Sequence, residues 1–286
     1  MLHGHSPRRH GAAPGAEPPS VTITVLGGFE VIVNGVPTAT HGWSRRSAAA
    51  LVKILALAPG HRLHREQVID LLWPGEPVAA VAPRLHKAAH YARRAVGRDD
   101  AIVLRDDVVW LLPGADLTVD AVRFEQLSKQ ALAERDATAA RAALASYRGE
   151  LLPGDRYEDW AVDRRELLHL RHLDLLRLTG DWWELTELDP TDEDAHAALI
   201  RRHLDGGDGS AALRHYAWLE RLLDRELGVA PTAHVVEALV GAEAADEPRV
   251  ARLLAELGRV VARQTDLLAE LAAVAAAPDR CLPIAS

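Results

Sequence analysis

The chain has 286 residues, of which 48% are hydrophobic and 26% are charged, the balance of a globular protein with about two domains. Its single cysteine, Cys281, excludes a disulfide scaffold and every zinc or iron–sulfur site built on several cysteines. The N-terminus lacks the apolar core of a secretory signal, and no apolar run approaches the roughly 20 residues of a membrane span. We therefore expect a soluble, cytoplasmic protein.

The net charge of −8 is distributed unevenly along the chain. Residues 123–286 hold the acidic excess, whereas residues 77–98 contain Arg84, Lys87, Arg93, Arg94 and Arg98 and no carboxylate. A concentrated basic stretch inside an acidic protein is a candidate contact for a polyanion. The alternative interpretation is a solvated helix face with extended arginine side chains.

The first 20 residues are rich in Pro, Gly, Ala and His and are predicted to be a disordered tail. From Val21 onward, apolar and polar residues alternate, which predicts strands with a bend at Gly27-Gly28 and a hairpin turn at Asn34-Gly35. Near residue 101 a second alternating stretch predicts a short closing hairpin around Asp106-Asp107.

Three helices are predicted between these strands. The first has Ser44 as its N-cap and ends at Pro59-Gly60, and the second ends at Pro74-Gly75. The third is predicted around 82–96, because Pro83 is tolerated only in a first turn and favours a start close to Ala82.

After Asp120 the pattern is helical throughout. The predicted helices lie near 120–135, 137–149, 157–179, 181–188, 192–204, 209–227 and 232–241. The segment around Gly206-Gly207 forms a helix–turn–helix of about the tetratricopeptide period, and such a hairpin needs neighbouring helices to bury its faces.

Six segments, in this order, carry a resemblance to a known family. They are VTITVLGGFEVIVNGVP, HREQVIDLLWP, RLHKAAHYARRAVG, VDAVRFEQL, YRGELLPGDRYEDWAVDRRELL and LDPTDEDAHAALIRRHLDGGDGSAALRHYAWLERLLDRELGVAPT. From about Val21 to Leu239 the chain resembles the SARP-type bacterial transcriptional activators, the antibiotic-regulatory proteins with an OmpR-type winged helix and a bacterial transcriptional activator domain. The resemblance implies sequence-specific binding to promoter repeats in double-stranded DNA and contact with the RNA polymerase holoenzyme.

The fold class expected from these patterns is mainly α with a small β component. A disordered tail over 1–20 precedes a winged helix-turn-helix over 21–119 that binds DNA. An all-α, tetratricopeptide-like activator domain follows over 120–243, and a C-terminal heptad helix spans 246–277. We expect a nucleoid-associated homodimer that activates transcription.

The residues predicted to contact DNA centre on the third helix, because a helix fits the major groove when one face is apolar and the other cationic. Arg84, Lys87, Tyr91 and Arg94 follow one stripe, which His86 and His90 flank. Arg84 and Lys87 are predicted to contact base edges, since both side chains pair with guanine O6 and N7. Phosphate contacts are predicted for Arg93, Arg94 and Arg98.

Helix N-termini favour anions and are expected to supply further phosphate contacts. These are predicted for Ser44, Arg45 and Arg46 at the first helix, for His64 and Arg65 at the second, and for Arg105 in the hairpin. Asp106-Asp107 at the hairpin tip should repel the phosphate backbone. Trp43 is interpreted as a packing residue between the sheet and the first helix.

Enzyme motifs such as GxxxxGK[ST], HExxH, GxSxG and CxxC are absent, so no enzyme activity, cofactor or metal is predicted. Asp163, Glu166, His169 and His172 are spaced by three, which we take to place them on related faces of one helix. A charged outer face is favoured for them over a catalytic or metal site.

The C-terminal stretch carries a heptad seam, with one polar member that could fix its register. The seam consists of Leu253, Leu257, Val260, Gln264, Leu267, Leu271 and Val274. Two arrangements are equally compatible with it: pairing with a second copy of the chain, or folding back to cap the helical repeats.

Two alternatives to a DNA-binding activator stay open. Pro83, Asp106-Asp107 and the acidic second half also fit an interaction scaffold whose winged helix has lost its affinity for DNA. A ligand-sensing regulator could hold a small molecule in the helical domain near Trp182, Trp183 and Trp218, although a place in the aromatic core is the favoured interpretation for these rings.

Overall fold

The structure, a computed structural model, describes residues 18–38, 43, 45–240, 256, 257, 259, 263 and 264. The chain divides into two compact units, Met1–Asp181 and Trp182–Ser286. This division falls inside the predicted activator domain rather than at residue 119, because the first helices of that domain share a hydrophobic core with the winged helix. Within the described part of the chain, none of the helices has the length and apolar character that a bilayer crossing requires.

The first unit opens with a four-stranded sheet. Its strands are β1 (Ser20–Thr24), β2 (Glu30–Val33), β3 (Val36–Pro37) and β7 (Asp116–Val119), in the order β3-β2-β1-β7. Asn34 and Gly35 form the turn between β2 and β3 with positive φ values of 49° and 79°, as the hairpin prediction required. Strand β1 begins at Ser20, one residue before the predicted boundary, and pairs in parallel with β7.

The three predicted helices follow as α1 (Arg46–Leu57), α2 (Arg65–Leu72) and α3 (Val78–Val96). Arg45, rather than the predicted Ser44, occupies the N-cap position of α1, and its side chain makes no capping hydrogen bond. A three-stranded sheet in the order β4-β6-β5 closes the winged helix. Its strands are β4 (Arg62–His64), β5 (Ile102–Arg105) and β6 (Val108–Leu111). Ser44 lies outside the described residues. Trp43 packs edge-on against Phe29, with ring centroids 5.0 Å apart, which confirms the packing interpretation.

The predicted start of α3 near Ala82 is wrong, since the helix begins at Val78 and Pro83 lies in its second turn. Proline has no N–H, so one helical hydrogen bond to the carbonyl of Ala79 is lost there. The fully buried side chains of Val81 and Leu85 flank the proline and hold this segment against the core. Packing therefore outweighs the cost of the proline.

Three helices of the activator domain complete the first unit: α4 (Asp120–Glu134), α5 (Ala137–Leu144) and α6 (Asp159–Thr179). Phe124 of α4 and Leu168 of α6 are fully buried in the same core as the winged-helix side chains. Helix α5 ends five residues earlier than predicted, and the chain beyond it runs back to the loop after β1. There Gly27 N donates to Glu150 O at 2.9 Å and Leu152 N donates to Val25 O at 2.8 Å.

The second unit contains α7 (Trp182–Leu188), α8 (Glu193–Asp205), α9 (Gly209–Leu227) and α10 (Ala233–Val240). Asp192 and Asp208 cap α8 and α9 by accepting hydrogen bonds from backbone N–H groups at 2.8 Å. Gly207, with a φ of 80°, makes the turn between these helices, and Ala212 is fully buried between them. The helix–turn–helix predicted around Gly206-Gly207 is confirmed.

Most of the predicted heptad seam lies outside the described residues. Of its seven members, the structure describes only Leu257 and Gln264, and both side chains are exposed. The pairing and folding-back arrangements of the C-terminal helix therefore stay predictions.

The expected common face for Asp163, Glu166, His169 and His172 is wrong. Steps of three residues drift by about 60° each on an α-helix, so the first and last members of the set lie on opposite sides. Asp163 and Glu166 are exposed, whereas His172 is buried and stacks on Tyr147 with ring centroids 4.2 Å apart.

The first prediction concerns the loop after β1. Gly27 has a φ of 74°, and a Cβ atom there would lie 2.6 Å from the carbonyl oxygen of Arg148. We expect Gly27→Ala to lower the free energy of unfolding by roughly 1–3 kcal/mol or more, because strain and a backbone clash coincide. Gly28→Ala is the matched control, since a Cβ there meets nothing within 4 Å. Urea unfolding measures both, and equal effects would refute the close approach.

The second prediction concerns acid stability. Burial, with the neighbouring charge of His169, lowers the pKa of His172 to about 4 from its ordinary 6.5. The unfolded chain then takes up this proton first, so the stability of the native state falls as the pH decreases from about 6.5 to about 4, by at most about 3 kcal/mol. His172→Phe keeps a ring beside Tyr147 and should flatten this part of a pH series of urea unfolding curves. An unchanged pH dependence would contradict it.

Candidate nucleic-acid interface

Helix α3 presents one face to the core and the opposite face to solvent. Its buried residues are Val81, Leu85, Ala88, Ala89, Ala92, Ala95 and Val96. On a helical projection the centre of the opposite face lies about 180° away, among His86, Lys87, His90 and Arg94. All four side chains are exposed. Within the described residues, Lys87 and Arg94 have no hydrogen-bond or ion-pair partner.

The predicted stripe of Arg84, Lys87, Tyr91 and Arg94 divides between two faces of α3. Arg84 Nη1 lies 2.5 Å from Glu76 Oε1, and its guanidinium lies over the Trp73 ring at 4.7 Å. Tyr91 is half-buried and faces the start of α1, where the Arg45 guanidinium lies over its ring at 5.3 Å. The two residues therefore occupy the flank of α3 that faces α1, beside the solvent face.

Two further cations from the prediction have partners within the winged helix. Arg93 is half-buried, and its Nε donates to the carbonyl of Ile102 in β5 at 2.8 Å. Arg98 forms two parallel hydrogen bonds with the carboxylate of Asp100, at 2.9 and 2.7 Å. The two-pronged pairing satisfies the guanidinium of Arg98 strongly, and the single hydrogen bond of Arg93 ties the C-terminal end of α3 to β5.

The cations predicted at the starts of α1 and α2 occupy different environments. Arg46 is exposed, and its Nη2 lies 2.5 Å from Oε1 of Glu158, which precedes α6. At the start of α2, the backbone N–H of His64 donates to Oε1 of Gln67 at 3.2 Å, and both side chains are exposed. Arg65 N donates to the carbonyl of Asp107 at 2.8 Å.

The tip of the β5–β6 hairpin is acidic, and it pairs with nearby cations. Asp106 and Asp107 have φ values of 51° and 59°, which is the left-handed pair that a two-residue hairpin turn demands. Arg105 Nε lies 3.0 Å from the carboxylate of Asp106, and Arg65 Nη2 lies 3.4 Å from that of Asp107. Each predicted phosphate contact in this hairpin region thus already faces a carboxylate.

The tryptophans considered for a ligand pocket lie in the second unit. Trp183 and Trp218 are 51% and 44% exposed, so the favoured aromatic-core interpretation is wrong for both. Their rings contact histidines instead: Trp183 lies against His203, and Trp218 lies against His196. Each indole therefore covers part of a histidine cluster and leaves its outer side in solvent.

The histidine cluster is hydrogen-bonded internally. His196 Nε2 lies 2.9 Å from the carbonyl of Pro190, so it carries the proton, and His196 Nδ1 accepts from His215 Nε2 at 2.8 Å. Burial, together with His196 and His203, lowers the pKa of His215 to about 4. Two nitrogens 2.8 Å apart leave no space for a metal ion between them. Across the described residues, no three metal-ligating side chains converge.

Residues 119–240 match the bacterial transcriptional activator domain. Among solved structures, the chain is similar to Mycobacterium tuberculosis EmbR in complex with a low affinity phosphopeptide, with a TM-score of 0.58 and 18% identity. That alignment covers 84% of this chain and 71% of that one. No curated protein matches the sequence significantly.

The two matches bear on different parts of the prediction. The likeness to EmbR supports the fold, a winged helix followed by a tetratricopeptide-like helical domain. The matched domain belongs to transcription regulators rather than to enzymes. Both matches agree with the resemblance that the sequence motifs predicted: residues 119–240 match a bacterial transcriptional activator domain, and the solved structure supports the fold.

Proposed function

We propose that this protein is a transcriptional regulator of the SARP type and that it binds duplex DNA through the solvent face of α3, formed by His86, Lys87, His90 and Arg94. The observation that carries the proposal is the pair of exposed cations, Lys87 and Arg94, without partners among the described residues on a helix whose other face is buried. A helix with this division fits the major groove, because its apolar side holds it to the domain while its cations reach the duplex.

The four side chains have distinct proposed roles. Lys87, in the middle of α3, contacts guanine O6 and N7, and Arg94, about two turns further on, contacts a phosphate. His86 precedes Lys87 and His90 lies between Lys87 and Arg94 along the helix, and both offer ring N–H donors to base edges or phosphates. Arg84 has no base-reading role in this proposal, because it is paired with Glu76 and held over Trp73.

The matched domain supports a wider proposal. We propose that the protein is a non-enzymatic, cytoplasmic activator that binds promoter repeats as a homodimer and recruits the RNA polymerase holoenzyme. The activator-domain match over 119–240 supports recruitment. Adjacent promoter repeats would favour two bound copies, because tethering to one duplex raises the effective concentration of each copy beside the other.

Selection of bound sequences from a random duplex library, followed by fluorescence anisotropy on the selected site, tests the DNA contact. We expect Lys87→Ala to weaken the selected site by about 5- to 150-fold and to relax its specificity, as loss of a base contact does. Arg94→Ala should weaken all sequences alike and reduce the salt slope, d log Kobs/d log[salt], by about 0.9, the value for one phosphate contact.

Arg141→Ala on α5 is the matched control, since it removes an exposed positive charge from a different surface of the same unit. Affinity and salt slope should then stay close to those of the unchanged protein. If all three variants bind alike, the solvent face of α3 is not the contact. If no duplex is selected at all, the scaffold alternative replaces DNA binding.

The acidic hairpin tip gives a fourth prediction. Asp106→Asn with Asp107→Gly keeps the residue types that a two-residue turn prefers and removes two carboxylates. Arg105 and Arg65 are then free to meet phosphates, so we expect tighter DNA binding and a salt slope steeper by up to about 1.8. Anisotropy titrations at several salt concentrations measure this. An unchanged slope would show that the hairpin does not approach the duplex, and a weaker complex would show that its carboxylates do not repel the DNA.

A further inference from the structure

A cavity of about 450 Å³ opens beside the proposed DNA-binding face, within the first unit. The start of α1, the end of α2, the middle of α3 and the residue before α6 form its walls. Four of its lining side chains are cationic: Arg45, Arg46, Arg84 and Lys87. Its volume falls in the range of roughly 300–1,000 Å³ that small-molecule sites occupy.

The charge of the cavity is only partly neutralised. Arg46 is paired with Glu158, the one carboxylate of the lining, and Arg84 is paired with Glu76. Arg45 and Lys87 have no carboxylate partner in the described part of the chain. Two positive charges therefore face this space without compensation, and they favour a ligand that carries about two negative charges.

Two aromatic rings hold the guanidinium groups in place. Arg84 lies over the Trp73 ring at 4.7 Å, and Arg45 lies over the Tyr91 ring at 5.3 Å. A guanidinium that lies over an aromatic ring still has N–H groups to donate to an anion, and Arg84 shares its own with Glu76. The stacking thus orients both groups before a ligand arrives, which lowers the entropy cost of binding.

The start of α1 adds to this preference for an anion. The helix begins at Arg46 after Arg45, with no side-chain cap and no acidic residue in its first turn. Its first backbone N–H groups have no partner within the helix and carry the positive end of the helix dipole. Arg45, Arg46 and Ser47 all line the cavity.

The rest of the lining is apolar. Ala50, Leu72 and Ala88 join the two aromatic rings, so the cavity can hold an organic body next to the cations. A phosphomonoester has this chemistry, because it combines an organic group with a charge of about −1.5 to −2 at pH 7. We propose that the cavity between α1 and α3 binds a small phosphomonoester with an apolar or aromatic body.

Isothermal titration calorimetry of the full chain with phenyl phosphate tests this proposal, which does not depend on DNA binding. We expect saturable one-to-one binding with a Kd of about 1 mM or tighter, and no binding of uncharged phenol. Ser47→Glu places a carboxylate in the cavity and should weaken phenyl phosphate by about tenfold or more, while suiting the first turn of a helix. Ser47→Gln is the matched neutral control and should bind within about twofold of the unchanged protein.

Arg45→Gln is a second, subtractive variant, which should weaken phenyl phosphate by about tenfold through loss of one charge-assisted hydrogen bond. Circular dichroism confirms that each variant is folded. Absence of phenyl phosphate binding, or equal binding by the Glu and Gln variants of Ser47, would overturn the proposal.

The DNA backbone carries the same phosphate chemistry, so a second titration measures the binding of a short DNA duplex to the same variants. If Ser47→Glu weakens the duplex as strongly as phenyl phosphate, the cavity receives backbone phosphate and the small-ligand proposal is overturned. If Ser47→Glu weakens phenyl phosphate but leaves duplex affinity within about twofold, the proposal is supported; displacement is not the criterion, because Lys87 serves both surfaces. If no duplex binds while phenyl phosphate still responds to Ser47→Glu, the DNA-binding proposal fails and this one stands.

Discussion

The first unit depends on a short β-bridge between the loop after β1 and the segment after α5. Gly27 N donates to Glu150 O, and Leu152 N donates to Val25 O, so two distant stretches of chain pair as a small ladder. Asp120 adds two hydrogen bonds by accepting from the backbone N–H groups of Val25 and Leu26. These hydrogen bonds satisfy buried polar groups that hydrophobic packing alone would leave unpaired. They thereby join the winged helix to the activator-domain helices in one unit.

A buried ion pair fixes α1 against the same segment. Lys53 Nζ lies 2.6 Å from Asp155 Oδ2 and 4.7 Å from the centre of the Phe29 ring, with both ionised groups mostly buried. A buried charge without its partner is strongly destabilising, so this pair specifies where α1 lies even where it adds little net stability. Because α1 packs against α3, the position of the proposed DNA-binding face is set in part by residues of the activator domain.

Hydrophobic periodicity predicted most of this fold, because the spacing of apolar residues within a single helix or strand determines which face it buries. Helices α4 and α6–α10 begin and end within about two residues of their predicted limits. Strands β4 and β7 were missed, since each is short and its pairing depends on a distant partner. The solvent face of α3 was only partly predicted, because the expected stripe includes Arg84 and Tyr91, which lie on the flank of the helix with partners of their own. No local pattern signals the pairing of Arg46 with Glu158, which are 112 residues apart.

The pairing of cations in this winged helix bears directly on how it would select a promoter. Most of the cations predicted for DNA already face a carboxylate, a carbonyl or an aromatic ring, and a paired cation must give up that partner before it binds phosphate. Sequence-independent affinity, which depends on the number of phosphates neutralised, would then be low. Selectivity would depend on the few unpaired side chains of α3 and on simultaneous binding at neighbouring repeats. Paired promoter elements suit such a protein, because two weak contacts on one duplex multiply through effective concentration.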